Sequence, residues 1–142
     1  LAEDALLPFE AVFFEAGLTL ESQITPGITL TGSRQYLGQL LDILLDNARK
    51  YAVGGAVRVT LEKTRHRRCC LSVSNEAAEM SRQDLQNIFK RFYRMDAARS
   101  RDGSFGLGLS IAENIVAAHN GKIRADYADG RVTFAAELPT DE

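Results

Sequence analysis

The feature that most constrains the fold is a long amphipathic segment that opens at Gly32-Ser33. Ser33 stands where its hydroxyl can cap the first free amides of a helix, and Gly54-Gly55 ends the region. Apolar side chains recur along the segment every three or four residues, which is the spacing of one helix face. They are Leu37, Leu40, Leu41, Leu44, Leu45 and Ala48. The sequence therefore predicts one dominant helix with a single buried face.

Alternating residues predict strands on both sides of this helix. Before it, the stretch from Leu18 to Ile24 alternates, and Ile28 to Leu30 predicts a second short strand. After it come Val57, Val59 and Leu61, a basic turn over Lys63 to Arg68, and a strand led by Leu71 and Val73, so a hairpin is predicted. The chain closes on a second hairpin around Asp129-Gly130. Its apolar positions are Ile123, Ala125, Tyr127, Val132, Phe134, Ala136 and Leu138.

Three more helices are predicted from start and stop signals. One follows Pro8, with Phe9, Val12 and Phe13 on one face, and ends near Gly17. A second begins at Ser81 with Asp84 three residues on, and runs through Leu85, Ile88, Phe89 and Phe92. A third follows the letters GLGL, carries Leu109, Ile111, Ala112, Ile115 and Val116, and stops at Asn120-Gly121. Together these elements predict an α+β, two-layer sandwich in which a mixed, mostly antiparallel sheet carries helices on one face.

Length and composition limit the class of protein. A chain of 142 residues with 45 % hydrophobic and 25 % charged residues fits one globular domain and excludes a disordered chain. A net charge of −2 gives no overall positive field for nucleic acid. We find no signal peptide and no apolar stretch approaching the roughly 18 residues of a membrane span. The start at Leu1 is typical of a piece of a longer protein.

The two cysteines are neighbours, Cys69 and Cys70. Adjacent residues on a strand point to opposite faces, so we expect no disulfide between them. This pattern favours a reducing, cytosolic setting.

The long helix carries polar residues with a possible chemical role. Asn47 lies at the edge of the apolar stripe, and Lys50 follows three residues later. An Asn oxygen can bind a hard cation, and Mg²⁺ is typically held by one or two protein oxygens plus substrate phosphates. Lys50 can neutralise phosphate oxygens. The alternative is a polar helix edge that faces solvent.

A glycine-rich stretch, GSFGLGL over residues 103–109, leads directly into a predicted helix. Backbone amides of glycines and of a helix N-terminus can bind an anion. The stretch is neither a P-loop nor a dinucleotide fingerprint, and a flexible turn is an equal alternative. A basic run precedes it: Lys90, Arg91, Arg94, Arg99 and Arg101. Such runs are usually solvated, but beside an anion-binding loop they gain weight as phosphate ligands.

The order of these features resembles the ATP-binding catalytic domain of bacterial sensor histidine kinases, in the ATPase superfamily that includes gyrase and MutL. The matching segments are LLDILLDNARKY for the N box, IFKRFYRMD for the F box, and GSFGLGLSIAENIVAAHNGKI for the G2 box with its helix. The resemblance covers about Phe9 to Leu138. It implies a single catalytic domain over 1–142, with a lid at about 94–105.

The resemblance also implies ATP and Mg²⁺ as ligands and supplies a set of site residues. Asn47 would bind Mg²⁺, Lys50 would contact phosphate, and the ring of Tyr51 would lie beside the nucleotide. The remaining implied residues are Asn75 and Met80 after the fourth predicted strand, Arg94 and Arg99 as lid or phosphate residues, and Gly103, Gly106, Leu107, Gly108 and Leu109 in the G2 box. Among these, Gly106 and Gly108 would be the amide donors.

The sequence departs from the family pattern in the G1 box. Asn75 stands in place of an Asp that accepts from the adenine amino group, and Ala77 and Glu79 stand in place of two glycines. A neutral acceptor, a left-handed Ala and a nearby carboxylate together predict a loss of roughly 2–4 kcal/mol in nucleotide binding.

A second departure is Ile43, four residues before Asn47, where gyrase-type members place a catalytic Glu. An isoleucine cannot act as a base, so a self-contained hydrolase is not expected. Neither His66 nor His119 lies in a helix of the His-acidic-x-Arg type. The phosphoacceptor His is therefore expected on another domain.

Two functions follow from the resemblance. The first is a kinase domain of a two-component system that transfers the γ-phosphate of ATP to a His of a separate dimerisation domain of the same protein. Its further partner would be a response regulator, its place the cytoplasmic side of a membrane-anchored sensor, and the isolated chain would be a monomer. The alternative is a degenerate regulatory module of the same fold that binds nucleotide weakly or not at all.

Overall fold

The computed structural model describes residues 13, 15, 17–25, 27, 28, 32–65, 67–90 and 108–140. Within these ranges the elements with defined bounds follow one another along the chain. They are β1 (Thr19–Ile24), α1 (Arg34–Tyr51), β2 (Ala56–Arg65), β3 (Arg68–Glu76), α2 (Arg82–Asn87), α3 (Gly108–Ala118), β4 (Lys122–Ala128) and β5 (Arg131–Pro139).

The strands form one sheet in the order β1-β2-β3-β5-β4. β1 and β2 are parallel, because α1 carries the chain back across the sheet between them, whereas the other three pairs are antiparallel. The predicted mixed, mostly antiparallel sheet with helices on one face is confirmed.

The predicted dominant helix is α1. The Ser33 hydroxyl caps it by accepting a hydrogen bond from the amide of Tyr36 at 3.2 Å. Four leucines of its apolar stripe are buried in a core that also holds side chains from β2, β3 and β5, and Leu37 is partly buried against this core. The largest fully buried aliphatic and aromatic side chains of this core are Phe13, Leu40, Leu44, Leu45, Val57, Val59, Val73, Val116, Val132 and Phe134.

Both predicted hairpins form, and one differs in detail. The β4–β5 turn has Asp129 and Gly130 at φ of 54° and 77°, the left-handed pair that an Asp-Gly hairpin turn needs. In the β2–β3 hairpin the strands continue to Arg65 and from Arg68, so most of the predicted turn over Lys63 to Arg68 is strand. Exposed basic side chains do not prevent strand pairing, and a register shift after Lys63 accommodates the short connection.

The helix predicted from Ser81 is shorter than expected. Its capping box is complete, since the Ser81 hydroxyl accepts from the Asp84 amide at 3.0 Å and the Asp84 carboxylate accepts from the Ser81 amide at 3.2 Å. The helix ends at Asn87, whose carbonyl accepts from the Lys90 amide in a tighter turn. Phe92, at the predicted end, lies outside the described residues.

Several predicted elements fall outside the described part of the chain. Of the helix after Pro8, only Phe13 and residue 15 are described, and Phe13 is fully buried. The strand predicted for Ile28 to Leu30 is described only at its first residue. The predicted lid at about 94–105 is not described.

The adjacent cysteines are both free thiols, as predicted from their alternation along β3. Cys69 is buried against the core and Cys70 is half-buried. Burial raises the pKa of both thiols, so they stay protonated at neutral pH. In the described ranges, the helices are either too short or too polar to cross a membrane.

Candidate functional site

A small pocket opens where the last turn of α1 meets the loop after β3. Asn47 is only 9 % exposed and lines this pocket together with Tyr51, one turn further along α1. The space is about 290 Å³, counting the open solvent at its mouth. Its other walls are Ala77, Ala78, Met80, Ile88, Val132 and Phe134. Three predicted site residues, Asn47, Tyr51 and Met80, therefore meet at one place.

Asn75, the last residue but one of β3, is 1 % exposed and pairs with the pocket residue Val132, although it does not itself line the pocket. Its side-chain NH₂ donates to the Glu76 carbonyl at 3.0 Å. Its Oδ1 is buried and accepts no hydrogen bond from the described residues. A buried acceptor without a donor costs about 1–3 kcal/mol, so such an atom marks a position where a donor group would bind favourably.

The β4–β5 hairpin holds the loop after β3. The Ala77 amide donates to the Gly130 carbonyl at 3.0 Å, and the Tyr127 hydroxyl donates to the Ala77 carbonyl at 2.9 Å. Neither Ala77 nor Glu79 has a left-handed backbone; the described non-glycine residues that do are Arg67, Asn120 and Asp129. The conformational penalty estimated for a left-handed Ala is therefore wrong for this loop. The absence of glycines here imposes no backbone strain.

Val132 and Phe134 on β5 were not predicted as pocket residues. The β3–β5 register places Asn75 opposite Val132 and Val73 opposite Phe134, which brings the end of β3 against the aromatic wall. The alternation of the last hairpin gave the only sequence signal for them, and that signal indicates burial rather than a binding role.

Lys50 does not line the pocket; it pairs with Asp46. Its Nζ lies 3.3 Å from Asp46 Oδ2, and Arg49 approaches Oδ1 of the same carboxylate at 2.8 Å. Partial burial raises the pKa of Asp46, but the hydrogen bonds and positive charges of Arg49 and Lys50 outweigh it and hold the pKa below its ordinary value. The carboxylate therefore competes with any phosphate for Lys50.

Asp46→Asn is expected to tighten ATP binding by about two- to threefold, because it removes a competing charge from a half-exposed pair of modest strength. Lys50→Ala is expected to weaken binding. Calorimetric titration of both variants checks this. Unchanged affinity in Lys50→Ala would contradict the predicted phosphate contact.

The N-terminus of α3 lies against the middle of α1. Gly108 is the first residue of α3, and a Cβ there would lie 3.6 Å from Cγ2 of Ile43. Ile43 is one turn before Asn47 on the same face of α1. The residues that begin the described part of α3 thus lie on the Asn47 side of the helix pair. Leu109 is half-buried and packs against the core.

Five predicted site residues lie outside the described part of the chain: Arg94, Arg99, Gly103, Gly106 and Leu107. Their roles remain predictions. In the described ranges, His, Cys, Asp and Glu side chains form no group of three that could hold a metal ion. A cation in this region would rely on Asn47 and on the oxygens of a bound phosphate.

His119 is engaged at both ring nitrogens. Its Nδ1 lies 2.8 Å from the Ile115 carbonyl, and its Nε2 accepts from the Ser33 amide at 3.2 Å. A carbonyl can only accept and an amide N–H can only donate, so this geometry belongs to the neutral ring with its proton on Nδ1. His119 thus follows the last residue of α3 and also forms a hydrogen bond to the start of α1, which the sequence did not indicate.

Comparison with known proteins places the chain among signalling ATPases. Residues 32–142 match the family model described as histidine kinase-, DNA gyrase B- and HSP90-like ATPase. The sensor protein DltS of Streptococcus agalactiae is 34 % identical over 142 residues, which cover 99 % of this chain and 36 % of DltS. The signal transduction histidine-protein kinase BaeS of Escherichia coli is 38 % identical over 136 residues, which cover 94 % of this chain and 29 % of BaeS. The chain thus spans about a third of the length of these relatives.

The fold agrees with these matches. The solved mycobacterial sensor histidine kinase MprB superimposes with a TM-score of 0.85 at 26 % identity, covering 98 % of this chain and 91 % of that one. The agreement extends over the sheet, α1 and α3 together, since nearly the whole chain is covered. The chain therefore belongs to the histidine kinase-, DNA gyrase B- and HSP90-like ATPase family, as an ATP-binding domain of the sensor histidine kinase type.

Proposed function

We propose that this domain binds Mg²⁺-ATP in the pocket beside Asn47 and presents the γ-phosphate to a His of a separate dimerisation domain. The observation that carries the proposal is the buried Oδ1 of Asn75, which has no partner among the described residues and whose strand neighbour Val132 lines a pocket together with Met80 and Phe134. A nucleobase offers both an apolar face for the walls and an exocyclic amino group for a buried acceptor.

The residues present fit such a ligand. Asn75 Oδ1 would accept from the adenine amino group, and the hydrogen bond from its NH₂ to the Glu76 carbonyl fixes which atom is offered. Asn47 would supply one oxygen to Mg²⁺, which when bound neutralises charge on the phosphates. The amides that open α3 from Gly108 would face the phosphates, where the positive end of the helix dipole favours negative charge.

The proposed reaction needs no carboxylate base in this chain. The Nε2 or Nδ1 lone pair of a neutral acceptor imidazole attacks the γ-phosphorus, a P–N bond forms, the P–O bond to the β-phosphate breaks, and ADP leaves with that oxygen. Ile43 in place of a Glu is compatible with this step and not with activation of water. His119 is unsuited as the acceptor because both of its ring nitrogens are already engaged.

The proposed partners follow from the relatives. Their names identify a sensor protein and a signal transduction kinase. Each of these proteins is about three times as long as the region that matches this chain. We infer that the domain works beside a dimerisation domain that carries the acceptor His, on the cytoplasmic side of the membrane, and that a response regulator receives the phosphoryl group.

Titration of the domain with ATP, with and without Mg²⁺, tests the proposal. We expect micromolar binding that Mg²⁺ strengthens, and competition by ADP. Absence of binding at millimolar nucleotide would contradict the proposal and favour the regulatory module.

Ala77→Gly is expected to change ATP affinity by less than about twofold, because the alanine backbone is unstrained, and to lower stability by about 0.5–1 kcal/mol through the greater freedom of glycine in the unfolded chain. Calorimetry and urea denaturation measure the two effects. A fivefold or larger gain in affinity would show that Ala77 does obstruct the site. Glu79→Gln, which leaves the backbone alone, separates the effect of the carboxylate charge.

A further inference from the structure

His119 links the two helices that form the candidate site, at the end of the pair remote from the pocket. His119 lies in the turn that ends α3. Its Nε2 accepts a hydrogen bond from the backbone amide of Ser33, the residue that caps α1. These two residues are 86 positions apart in the chain. We call this pair of hydrogen bonds, through Nδ1 to Ile115 and through Nε2 to Ser33, the His119 latch.

Gly32 lies directly against the His119 ring of the latch. A Cβ at Gly32 would lie 2.6 Å from His119 Nε2 and closer still to the neighbouring ring carbon. The backbone of Gly32 is not left-handed, so an alanine would fit it locally and the conflict is with the imidazole alone. The glycine therefore lets the ring approach the Ser33 amide.

The latch and the candidate site lie at opposite ends of the same helix pair. α3 starts beside Ile43 in the middle of α1 and ends at the start of α1, so the two helices run antiparallel. An α3 of 11 residues is about 16 Å long, and a helix moves as a rigid body over that length. A shift at the latch is therefore transmitted to the amides that open α3.

Apolar packing alone does not define this alignment. Ala112 and Val116 are fully buried on α3, but apolar contact is non-directional and tolerates sliding of one helix along another. A hydrogen bond from a backbone amide to a ring nitrogen is directional, and the second bond to Ile115 fixes the ring.

We propose that His119 is a positioning residue: the latch sets the distance between the amides that open α3 and the side chain of Asn47. In the proposed function the amides that open α3 would contact the phosphates and Asn47 would supply an oxygen to Mg²⁺, and the inference rests on that function. We therefore expect loss of the latch to weaken ATP binding in the presence of Mg²⁺ more than ATP binding in its absence.

The test uses His119→Ala, Gly32→Ala, the double variant, and Gly38→Ala as the matched control. Gly38 lies in α1, and a Cβ there meets no atom within 4 Å. The first measurement is urea denaturation of the wild type and of all four variants. We expect Gly32→Ala to destabilise the wild-type chain but not the His119→Ala chain, because the ring that it strikes is then absent. Equal effects in both backgrounds would show that the contact at Gly32 is not with His119.

The second measurement is the ratio of ATP affinities with and without Mg²⁺. We expect His119→Ala and Gly32→Ala each to reduce this ratio by about five- to tenfold, the equivalent of one neutral hydrogen bond, with no further loss in the double variant. Gly38→Ala is expected to leave the ratio unchanged. If the latch variants lose affinity equally with and without Mg²⁺, or not at all, the positioning role is wrong.

The two outcomes separate the latch from the proposed function. A wild-type chain that binds no ATP would contradict the proposed function and, with it, the positioning role, while the denaturation cycle would still show whether the latch itself forms. A wild-type chain that binds Mg²⁺-ATP, with an unchanged Mg²⁺ ratio in the folded latch variants, would overturn the positioning role alone.

Discussion

Asn47→Ala is expected to abolish the Mg²⁺-dependent part of ATP binding, a loss of at least about a hundredfold in affinity under saturating Mg²⁺. Among the described residues that line the pocket, Asn47 is the one whose side chain carries a carbonyl oxygen; the other side-chain oxygen there is the phenol of Tyr51. Because Mg²⁺ is typically held by only one or two protein oxygens, Asn47 would supply the protein oxygen for the ion, and its loss would leave the ion to phosphate and water alone. Titration with ATP at saturating Mg²⁺ and in the presence of a chelator measures the effect.

The control for this experiment is Asp42→Ala, an exposed polar position on the same helix. It is expected to leave both affinities within about twofold, since exposed substitutions change stability by less than about 0.5 kcal/mol. If Mg²⁺ strengthens ATP binding to Asn47→Ala as much as to the wild type, the assignment of Asn47 as the metal ligand is wrong.

Elements set by local pattern could be predicted from the sequence. The stripe of α1, the Ser81–Asp84 capping box and the Asp129-Gly130 turn each depend on residues within a few positions of one another. The sequence signals for these elements come from neighbouring residues and do not depend on tertiary contacts. The placement of Asn47, Tyr51 and Met80 in one pocket was predictable only through the family resemblance, because the pattern alone left a solvent-facing helix edge open.

Features that depend on distant pairing could not be predicted. The pocket wall at Val132 and Phe134 follows from the register of β3 against β5, and the sequence of either strand alone does not fix that register. The same holds for the loop at Ala77, whose backbone follows the hydrogen bonds from Tyr127 and to Gly130 rather than its own residue types. The predicted glycine penalty was wrong for this reason.

Charge pairing near the site illustrates a third case. The spacing of Asp46 and Lys50 is that of a helical ion pair, so the competition for Lys50 was open to prediction from the sequence. The reduced pKa of Asp46 means that this pairing stabilises the fold above the ordinary pKa of an aspartate and is lost as pH falls through the lower folded value. At neutral pH the Asp46 carboxylate is therefore fully charged. A phosphate that binds Lys50 must either displace this carboxylate or bind beside it.

Phe134→Ala is expected to lower the free energy of unfolding by about 3–5 kcal/mol, the range for removing a buried aromatic ring. Phe134 is 2 % exposed at the centre of β5, and Phe89 meets it edge to face with ring centroids 6.1 Å apart. Urea denaturation followed by far-ultraviolet circular dichroism measures the loss. Tyr36→Ala removes an aromatic ring that is 53 % exposed, and it is expected to change stability by less than about 0.5 kcal/mol.

Phe134→Leu separates the two roles of this ring. It keeps most of the buried volume and costs less stability, but it removes the flat wall of the pocket and the edge-to-face contact with Phe89. We expect the variant to fold and to bind ATP about fivefold more weakly, the equivalent of about 1 kcal/mol of aromatic contact. Unchanged affinity in a folded Phe134→Leu would show that the nucleotide does not contact this wall, and would contradict the placement of the base in this pocket.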